Sequence, residues 1–409
     1  MIYKSFTTSN IILILTILLP IGLLLGTGAS ETIVILSSIF FLIYSILKSN
    51  FDWTKNKFFY LLIIFWFSLI VNFFFSKNQE LALFRSFGFI KYVIYIFAIK
   101  YLLYKNKNKE ILFTFLSFVV LITTFDIYFE FINKKNIFGF RSNDPTRIAS
   151  FLGGELKIAH FLLGFALVSV GYYFEKFGNK SYKFIISGYV FLILFLISIF
   201  LTGERANSIR SFICILIFAI LLKNNLKFKK ILIVGIVMSP VIIYFSADRI
   251  RDRFDMYLST KNENVNFLKT FKDSHHGAHY KTAFEIFKSY PIFGIGNKNF
   301  REECSKEKYN NSSYTRISER CSTHPHQIYL ELMSEHGIIG STIILFVIFY
   351  SIFKSFKIYA NKNNPVQLGA ILFVTSTFIP IIPSGSFFAS FNATIFWFNY
   401  AIMLSYDKK

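Results

Sequence analysis

Long apolar runs separated by short hydrophilic gaps fill the chain from its first residues to its last. Runs such as 11–25, 58–75, 184–201 and 231–245 are long enough, or nearly so, to cross roughly 30 Å of hydrocarbon at about 1.5 Å per residue. Counting these runs predicts about twelve transmembrane helices. The expected fold class is therefore an all-α, polytopic membrane protein, and a signal peptide followed by a soluble domain is excluded.

One hydrophilic gap is far longer than an ordinary connection, which is typical of a functional and partly folded segment. It divides the chain into three predicted parts. An N-terminal bundle of about nine spans occupies 1–246, the long loop occupies 247–325, and a C-terminal bundle of about three spans occupies 326–409.

The distribution of lysine predicts the orientation of the spans. Every second gap is strongly basic, for example the gap with Lys105, Lys107 and Lys109, whereas the gaps at 26–31, 76–80 and 383–386 carry little net charge. The positive-inside rule then places both termini in the cytoplasm and the long loop in the periplasm, as in a bacterial inner-membrane protein.

Composition agrees with a membrane protein, because 54% of the residues are hydrophobic, only 16% are charged and the mean hydropathy is +0.50. The net charge of +21 would suggest a nucleic-acid partner in a soluble protein. Here most of it lies in the cytoplasmic gaps, so we expect contact with membrane lipids and no nucleic acid.

Several cations lie in predicted periplasmic gaps, where the positive-inside rule does not expect them. They are Arg141, Arg147, Arg205 and Arg210. They could pair with carboxylates such as Glu204 or with lipid headgroups. Alternatively they bind an anionic substrate, and a diphosphate matches arginine forks in particular. Arg85 and Lys91 lie within the apolar fourth span and also need partners.

The middle of the long loop has the pattern of an amphipathic helix at 279–290. Tyr280, Ala283, Phe284 and Phe287 share one face, which predicts a helix lying on the membrane surface. Pro291 ends it. The following Gly294-Ile295-Gly296 lacks the Lys-Ser/Thr of a nucleotide-binding loop, so we interpret it as a structural turn.

The loop ends in His324-Pro325-His326-Gln327 at the start of another span. Ser322 or Thr323 could cap this helix, with Pro325 in its first turn. His326 would then share a helical face with Leu330, Met333 and two glycines. Gln327, Glu331, Ser334 and Glu335 would form a polar arc facing protein or a wet cavity, because carboxylates are costly in lipid.

A histidine at a helix start is usually a surface residue, but the neighbouring arginines and carboxylates favour catalysis by His326. His324, Gln327, Glu331 and Glu335 are possible auxiliary residues. Five of the seven histidines lie in the loop, which raises a metal site as an alternative. His275 and His279 could share a helical face, but no further ligand spacing completes a set, so no metal and no cofactor are expected.

The two cysteines of the loop, Cys304 and Cys321, could form a disulfide in an oxidising periplasm, or remain free thiols. Cys214 lies within an apolar span and is predicted to be an inert core residue.

The residues described above resemble the O-antigen ligase and polymerase family of membrane glycosyltransferases. His326-Gln327, a nine-residue gap, Gly337 and Gly340 resemble the ligase motif. Thr202-Gly203-Glu204-Arg205 is similar to the family's Thr-Gly-Ser-Arg segment, although Glu204 replaces a common serine and could pair with Arg205. Pro291-x2-Gly294-x-Gly296-x3-Phe300 resembles its loop turn.

The resemblance implies a GT-C-like fold and a metal-independent, inverting transfer of a glycan from an undecaprenyl-diphosphate donor to a lipid or glycan acceptor. His326 would be the general base. Arg205 and Arg210, with Arg141 or Arg147, would bind the diphosphate. The acceptor could be lipid A-core, as for a ligase, or a growing glycan, as for a polymerase.

A transporter or flippase of lipid-linked glycans is the other class that roughly twelve spans would suit. Transporters of this size often consist of two similar halves. The chain lacks such an internal repeat in its sequence, and its single long loop favours an enzyme. A scaffold subunit of an envelope assembly complex would leave the periplasmic arginines unexplained.

Overall fold

The structure is a computed structural model that describes residues 8–178, 180–223, 229–258, 274–310 and 316–407. Parts of the predicted loop, 259–273 and 311–315, and the two predicted cytoplasmic ends, 1–7 and 408–409, lie outside the described residues. The α-helices within the described ranges are α1 (Thr8–Leu25), α2 (Thr27–Leu47), α3 (Lys57–Phe74), α4 (Gln79–Phe87), α5 (Ile90–Leu103), α6 (Asn106–Asn133), α7 (Ile158–Phe177), α8 (Tyr182–Leu201), α9 (Arg205–Leu221), α10 (Lys229–Ser246), α11 (Asp248–Leu258), α12 (His275–Ser289), α13 (Phe300–Glu303), α14 (Ile328–Lys362), α15 (Pro365–Ser376) and α16 (Ser390–Ser405). Short 3-10 helices lie at Asp52–Lys55, Ser150–Leu152, Glu307–Tyr309 and Ile317–Glu319.

This all-helical architecture confirms the predicted class of polytopic membrane protein. Within the described ranges, nine helices are long and apolar enough to cross a membrane, the consecutive α4 and α5 counting as one. Three further helices, α9, α15 and α16, coincide with predicted spans but are shorter. The predicted count of about twelve therefore stays a prediction.

Helices α7, α15 and α16 form the centre of the bundle and pack against one another. Helix α7 approaches α15 closely because each helix has a glycine at the contact. A Cβ at Gly171 would lie 2.5 Å from the carbonyl oxygen of Pro365, and one at Gly369 would lie 2.6 Å from that of Leu167. Such contacts between small residues bring helix backbones together where lipid offers no hydrophobic drive.

The loop helix α12 runs from His275 to Ser289, one residue short of the C-cap Tyr290, so Pro291 follows its end as predicted. The face that packs against protein differs from the face predicted to lie on the membrane surface, and that membrane contact stays a prediction. The buried face of α12 consists of His279, Thr282, Ala283 and Ile286, whereas Phe284 is 43% exposed. The helix packs against α14 of the bundle, so protein contacts, which the sequence pattern does not reveal, decide which face is buried.

Candidate active site

His326 lies immediately before α14 rather than within it. The helix begins at Ile328, and the Gln327 side chain caps it by accepting a hydrogen bond from Leu330 N at 2.8 Å. The expectation that Ser322 or Thr323 caps the helix, with Pro325 and His326 inside it, is therefore wrong. His326 is held outside the helix by a long-range contact, because its carbonyl oxygen accepts a hydrogen bond from Ser384 N at 2.8 Å.

The backbone of His326 adopts a left-handed conformation with φ 60°. Such a conformation is uncommon outside glycine and often marks a functional site. Ser322 Oγ lies 3.0 Å from His326 Nε2 and orients the ring. The Tyr280 hydroxyl, from α12, donates to His326 O at 3.3 Å. The backbone of His326 is thus held from both the loop helix and the C-terminal bundle.

All five loop histidines come together in one cluster. The ring of His326 lies 4.1 Å from that of His324, 5.3 Å from that of His279 and 5.4 Å from that of His276, between ring centroids. His275 lies 4.1 Å from His276. Despite this crowding, no His, Cys, Asp and Glu side chains of the described ranges form a group of three or more able to hold a metal ion.

The cluster keeps its members in the neutral form. Burial, together with the neighbouring imidazoles, lowers the pKa of His326 to about 2 and that of His276 to about 3. Burial also lowers the pKa of His324 to about 4. The loss of solvation and the repulsion between imidazolium groups act in the same direction. The His326 ring is therefore a free base at neutral pH.

A short turn at 382–388, between α15 and α16, joins the histidines to the arginines; we call it the outer turn. Ser384 donates its backbone N–H to His326, and its carbonyl oxygen lies 3.2 Å from His324 Nε2. Arg210 Nη2 donates to the carbonyl oxygens of Pro383 at 2.9 Å and Ile382 at 3.4 Å. The outer turn is the uncharged gap at 383–386, and its part in the site was missed from sequence.

Arg210 is 5% exposed, and its Nη1 donates a hydrogen bond to Asn207 Oδ1 at 3.4 Å. No carboxylate of the described ranges forms an ion pair with it. Arg205, at the start of α9, donates from Nη1 to Arg253 O at 3.0 Å and acts electrostatically on His275 and His276. The structure thus brings both arginines beside the histidine cluster.

The other two predicted arginines differ in burial, since Arg147 is half-buried and Arg141 is exposed. Arg147 donates from Nη2 to Leu156 O at 3.0 Å, and its charge interacts with those of Glu204 and Asp144. Pairing with carboxylates therefore explains part of its placement.

Glu204 does not pair with Arg205, so that expectation is wrong. Its carboxylate instead accepts hydrogen bonds from Ala159 N at 2.9 Å, at the start of α7, and from Asn207 Nδ2 at 2.7 Å. Burial nevertheless raises the pKa of Glu204 to about 7. Glu204, which replaces the serine common in the family motif, therefore links α9 to α7 by hydrogen bonds, and the Arg205 guanidinium binds other groups.

Helix α14 is broken at Gly337, which has φ 63° and ψ −169°. Residues 291–296, the glycine turn, enter the break. Ile295 N and Gly296 N donate to the carbonyl oxygens of Ser334 and Glu335, and Ile338 N donates to Pro291 O at 2.8 Å. The turn is structural, as interpreted from the sequence, because it satisfies the backbone groups that the break leaves free.

Both carboxylates of the predicted polar arc are buried against protein, as expected. Glu335 accepts hydrogen bonds from Lys298 N at 2.8 Å and Phe300 N at 3.1 Å. Glu331 accepts from Ser386 Oγ and from Phe387 N at 3.0 Å, in the outer turn. Arg85 interacts electrostatically with both carboxylates. These two groups are the partners that a cation within the fourth predicted span requires.

The remaining sequence predictions concern Lys91 and the three cysteines. Lys91, the other cation of that span, forms an ion pair with Glu31. Cys304 and Cys321 are joined in a disulfide with 5.3 Å between their Cα atoms. Cys214 is buried in the bundle.

Sequence reasoning missed Asn72 as well as the outer turn. Its side chain donates to Phe293 O at 2.7 Å and Glu335 O at 2.9 Å and accepts from Asn297 N at 3.2 Å. An amide inside the apolar run 58–75 was the available signal, because a polar group in a span needs a partner.

Fold and site together define a multi-pass membrane protein in which a histidine cluster lies between the loop helix α12 and the start of the broken helix α14, near the buried Arg210. A family model described as "O-Antigen ligase" matches residues 190–347, a range that includes Arg205, Arg210, His326 and Gly337. This part of the chain is therefore similar to the O-antigen ligase family, in line with the resemblance noted in the sequence. The chain is also similar to an uncharacterized protein of Haemophilus influenzae, with 24% identity over 416 residues that cover 98% of each chain.

Proposed function

We propose that the protein transfers a glycan from an undecaprenyl-diphosphate carrier to an acceptor hydroxyl at the periplasmic face of the bacterial inner membrane, as a ligase does. Polymerisation of lipid-linked repeat units is the alternative, since both activities share the motif around His326. One observation carries the proposal: a neutral His326 is held at the mouth of α14 by Ser384, in the same turn that binds Arg210.

His326 would act as the general base. It takes the proton of the acceptor hydroxyl while the oxygen attacks the anomeric carbon of the donor glycan. The bond from that carbon to the diphosphate oxygen breaks, and undecaprenyl diphosphate leaves with the electron pair. Attack opposite the leaving group inverts the anomeric configuration. A positioned base of this kind contributes roughly 10²- to 10⁴-fold in rate.

The electrostatics suit a base that becomes effective only with donor present. An imidazole whose pKa is about 2 is a weak proton acceptor. The diphosphate brings negative charge beside the cluster, which would raise the pKa of His326 toward neutrality. Arg205 and Arg210 would hold the diphosphate and stabilise the charge of the leaving group, with Arg147 as a further contributor and Arg141 at the exposed edge. Guanidinium groups can do this without a metal ion.

The proposed orientation follows from the positive-inside rule, with both termini cytoplasmic and the histidine loop periplasmic. In that orientation α12 covers the histidine cluster from outside, and the polyprenyl chain of the donor would reach the site from the bilayer. Glu331 and Glu335 support the site through the outer turn and the glycine turn rather than through contact with substrate.

The test is His326→Asn in a strain lacking the chromosomal copy. Asparagine adopts the left-handed conformation readily, so the variant should insert and fold normally, yet lose at least about 10²-fold in transfer because the base is gone. Lys134→Asn is the matched control: Lys134 also has a left-handed backbone, with φ 59°, and is exposed. Wild-type glycan display from His326→Asn would refute the assignment of the base.

Glycan analysis of the deletion strain separates the two activities. A ligase leaves long lipid-linked polymer when it is removed, whereas a polymerase leaves single lipid-linked repeat units. Normal amounts of both the finished glycan and its precursors would exclude either role.

A further inference from the structure

A cavity lined in part by Arg210 lies beside the proposed diphosphate site. Its walls come from the start of α7, from α9 and from the outer turn and its flanking helices. The polar lining residues are His160, Arg210, Ser376, Thr377, Ser384 and Asn392. Phe373, Phe387 and Phe396 supply aromatic walls.

Three polar atoms of this lining make no hydrogen bond to any residue of the described ranges: His160 Nε2, Arg210 Nε and Ser384 Oγ. All three atoms are buried, and Arg210 and Ser384 as whole residues are only 5% and 7% exposed. Leaving a buried polar group unsatisfied costs free energy, so such groups rarely cluster without a reason. Their convergence on one cavity indicates a ligand.

The chemistry of the three atoms suits a ligand that bears a hydroxyl group. Arg210 Nε can only donate, Ser384 Oγ can donate or accept, and a neutral imidazole offers one donor and one acceptor nitrogen. A fully ionised phosphate diester accepts hydrogen bonds but donates none. A hydroxyl group does both, and the aromatic walls suit the apolar face of a sugar ring.

A polar network holds His160 and Arg210 in position. The side chain of Asn207 interacts with the His160 ring, accepts from Arg210 Nη1 and donates to Glu204. Glu204 in turn binds the start of α7, one residue before His160, through Ala159 N. The Glu204 substitution noted in the family motif is therefore part of the support of this cavity.

We infer that this cavity is a carbohydrate subsite in which His160, Arg210 and Ser384 bind a sugar hydroxyl of the glycan that is transferred. The inference rests on the proposed function for the identity of the substrate. His160 is then a positioning residue, since it touches the glycan but takes no part in proton transfer, and Arg210 joins the diphosphate site to the sugar subsite.

The first experiment compares His160→Phe with wild type in purified full-length protein, using lipid-linked glycan extracted from the deletion strain. Loss of one hydrogen-bond partner should raise KM about tenfold while kcat changes little. His336→Phe is the matched control, because His336 is also buried and packs on an aromatic ring, Phe388, at 5.1 Å. It lies outside the cavity lining, and its KM should equal that of wild type. An unchanged KM for His160→Phe would overturn the inference.

A second experiment requires no turnover and does not depend on whether His160→Phe folds correctly. His160→Cys is introduced together with His326→Asn and labelled with a small methanethiosulfonate reagent. The native cysteines are buried or in a disulfide. Lipid-linked glycan should slow labelling about tenfold, whereas undecaprenyl diphosphate without sugar should not.

These outcomes separate the inference from the proposed function. Equal protection by undecaprenyl diphosphate alone would assign the cavity to phosphate, and absence of protection by the glycan would mean that no sugar enters it; either result overturns the inference. If His326→Asn remained active while the glycan still protected Cys at position 160, the assignment of the base would fall and the subsite would stand.

Discussion

The histidine cluster shows at the level of single residues how a charge state can be set by packing. The pKa values of His326, His276 and His324 are lowered to about 2, 3 and 4 by burial, against about 6.5 for an exposed imidazole. Below pH 6.5 an opened loop therefore binds more protons than the closed one. The neutral histidines therefore stabilise the closed loop fully above about pH 6.5, and this contribution is lost as the pH falls toward the lowered pKa values. Charged groups that act on the cluster are Glu319, Arg316, Arg205, Arg85 and Arg301.

We therefore predict that acidification from pH 7.5 to pH 5 increases hydrogen exchange in α12 reversibly, whereas exchange in the central helices α7 and α16 stays constant. His276→Asn removes one of the groups that must remain neutral, so the variant should show a smaller increase at pH 5. Equal protection of α12 at both pH values would show that the imidazoles do not control the closure of the loop.

Single residues also show how far a sequence specifies this site. The types and chain positions of His326, Arg205 and Arg210 predicted them as candidates, because charges and histidines are conspicuous next to apolar runs. The left-handed backbone of His326, the outer turn and the cavity at His160 could not be predicted, since each depends on contacts between residues more than 40 positions apart. The pattern of a single helix contains no information about such contacts.

At the level of elements, the break in α14 is the feature that positions the loop. The backbone of Gly337 has φ 63° and ψ −169°, a conformation essentially restricted to glycine. A Cβ there would lie 2.3 Å from Ile292 O. The sequence predicted one continuous helix with spaced glycines on one face, because the apolar periodicity continues across the break. The residues that enter the break, 291–296, precede the helix in the chain, so the pattern of the helix itself does not reveal them.

Gly337→Ala should therefore expel the glycine turn from α14 and lower the thermal stability of the detergent-solubilised protein by several degrees, since the left-handed backbone alone costs roughly 1–2 kcal/mol. Transfer activity should fall with it, because the turn anchors the loop that carries the histidines. Gly28→Ala is the control: Gly28 lies in the first turn of α2, and a Cβ there meets nothing within 4 Å. If the two variants melted at the same temperature, the break would not be under the constraint described.

On the scale of the whole molecule, the class of the protein was evident from the sequence, whereas the arrangement of its helices was not. Length and composition suffice to indicate membrane spans, because the thickness of hydrocarbon is fixed. The central position of α7, α15 and α16 depends on close contacts such as those of Gly171 with Pro365 and of Gly369 with Leu167. Helices α15 and α16 are shorter than a typical span, and their length alone would suggest a position at the edge of the bundle.

The orientation of the molecule in the membrane decides whether the site faces the periplasm, and cysteine labelling in intact cells can establish it. Ser318 is exposed in the loop, and Asn50 is exposed in the basic gap between α2 and α3. We predict that Ser318→Cys reacts with a membrane-impermeant maleimide in intact cells, because the proposed orientation places the loop in the periplasm. Asn50→Cys should react only after lysis, since the lysines around it are retained in the cytoplasm. The parent chain is the control for labelling of Cys214, Cys304 and Cys321. The reverse pattern would place the histidine cluster in the cytoplasm, where a periplasmic acceptor could not reach it, and the proposed reaction would fail for the whole protein.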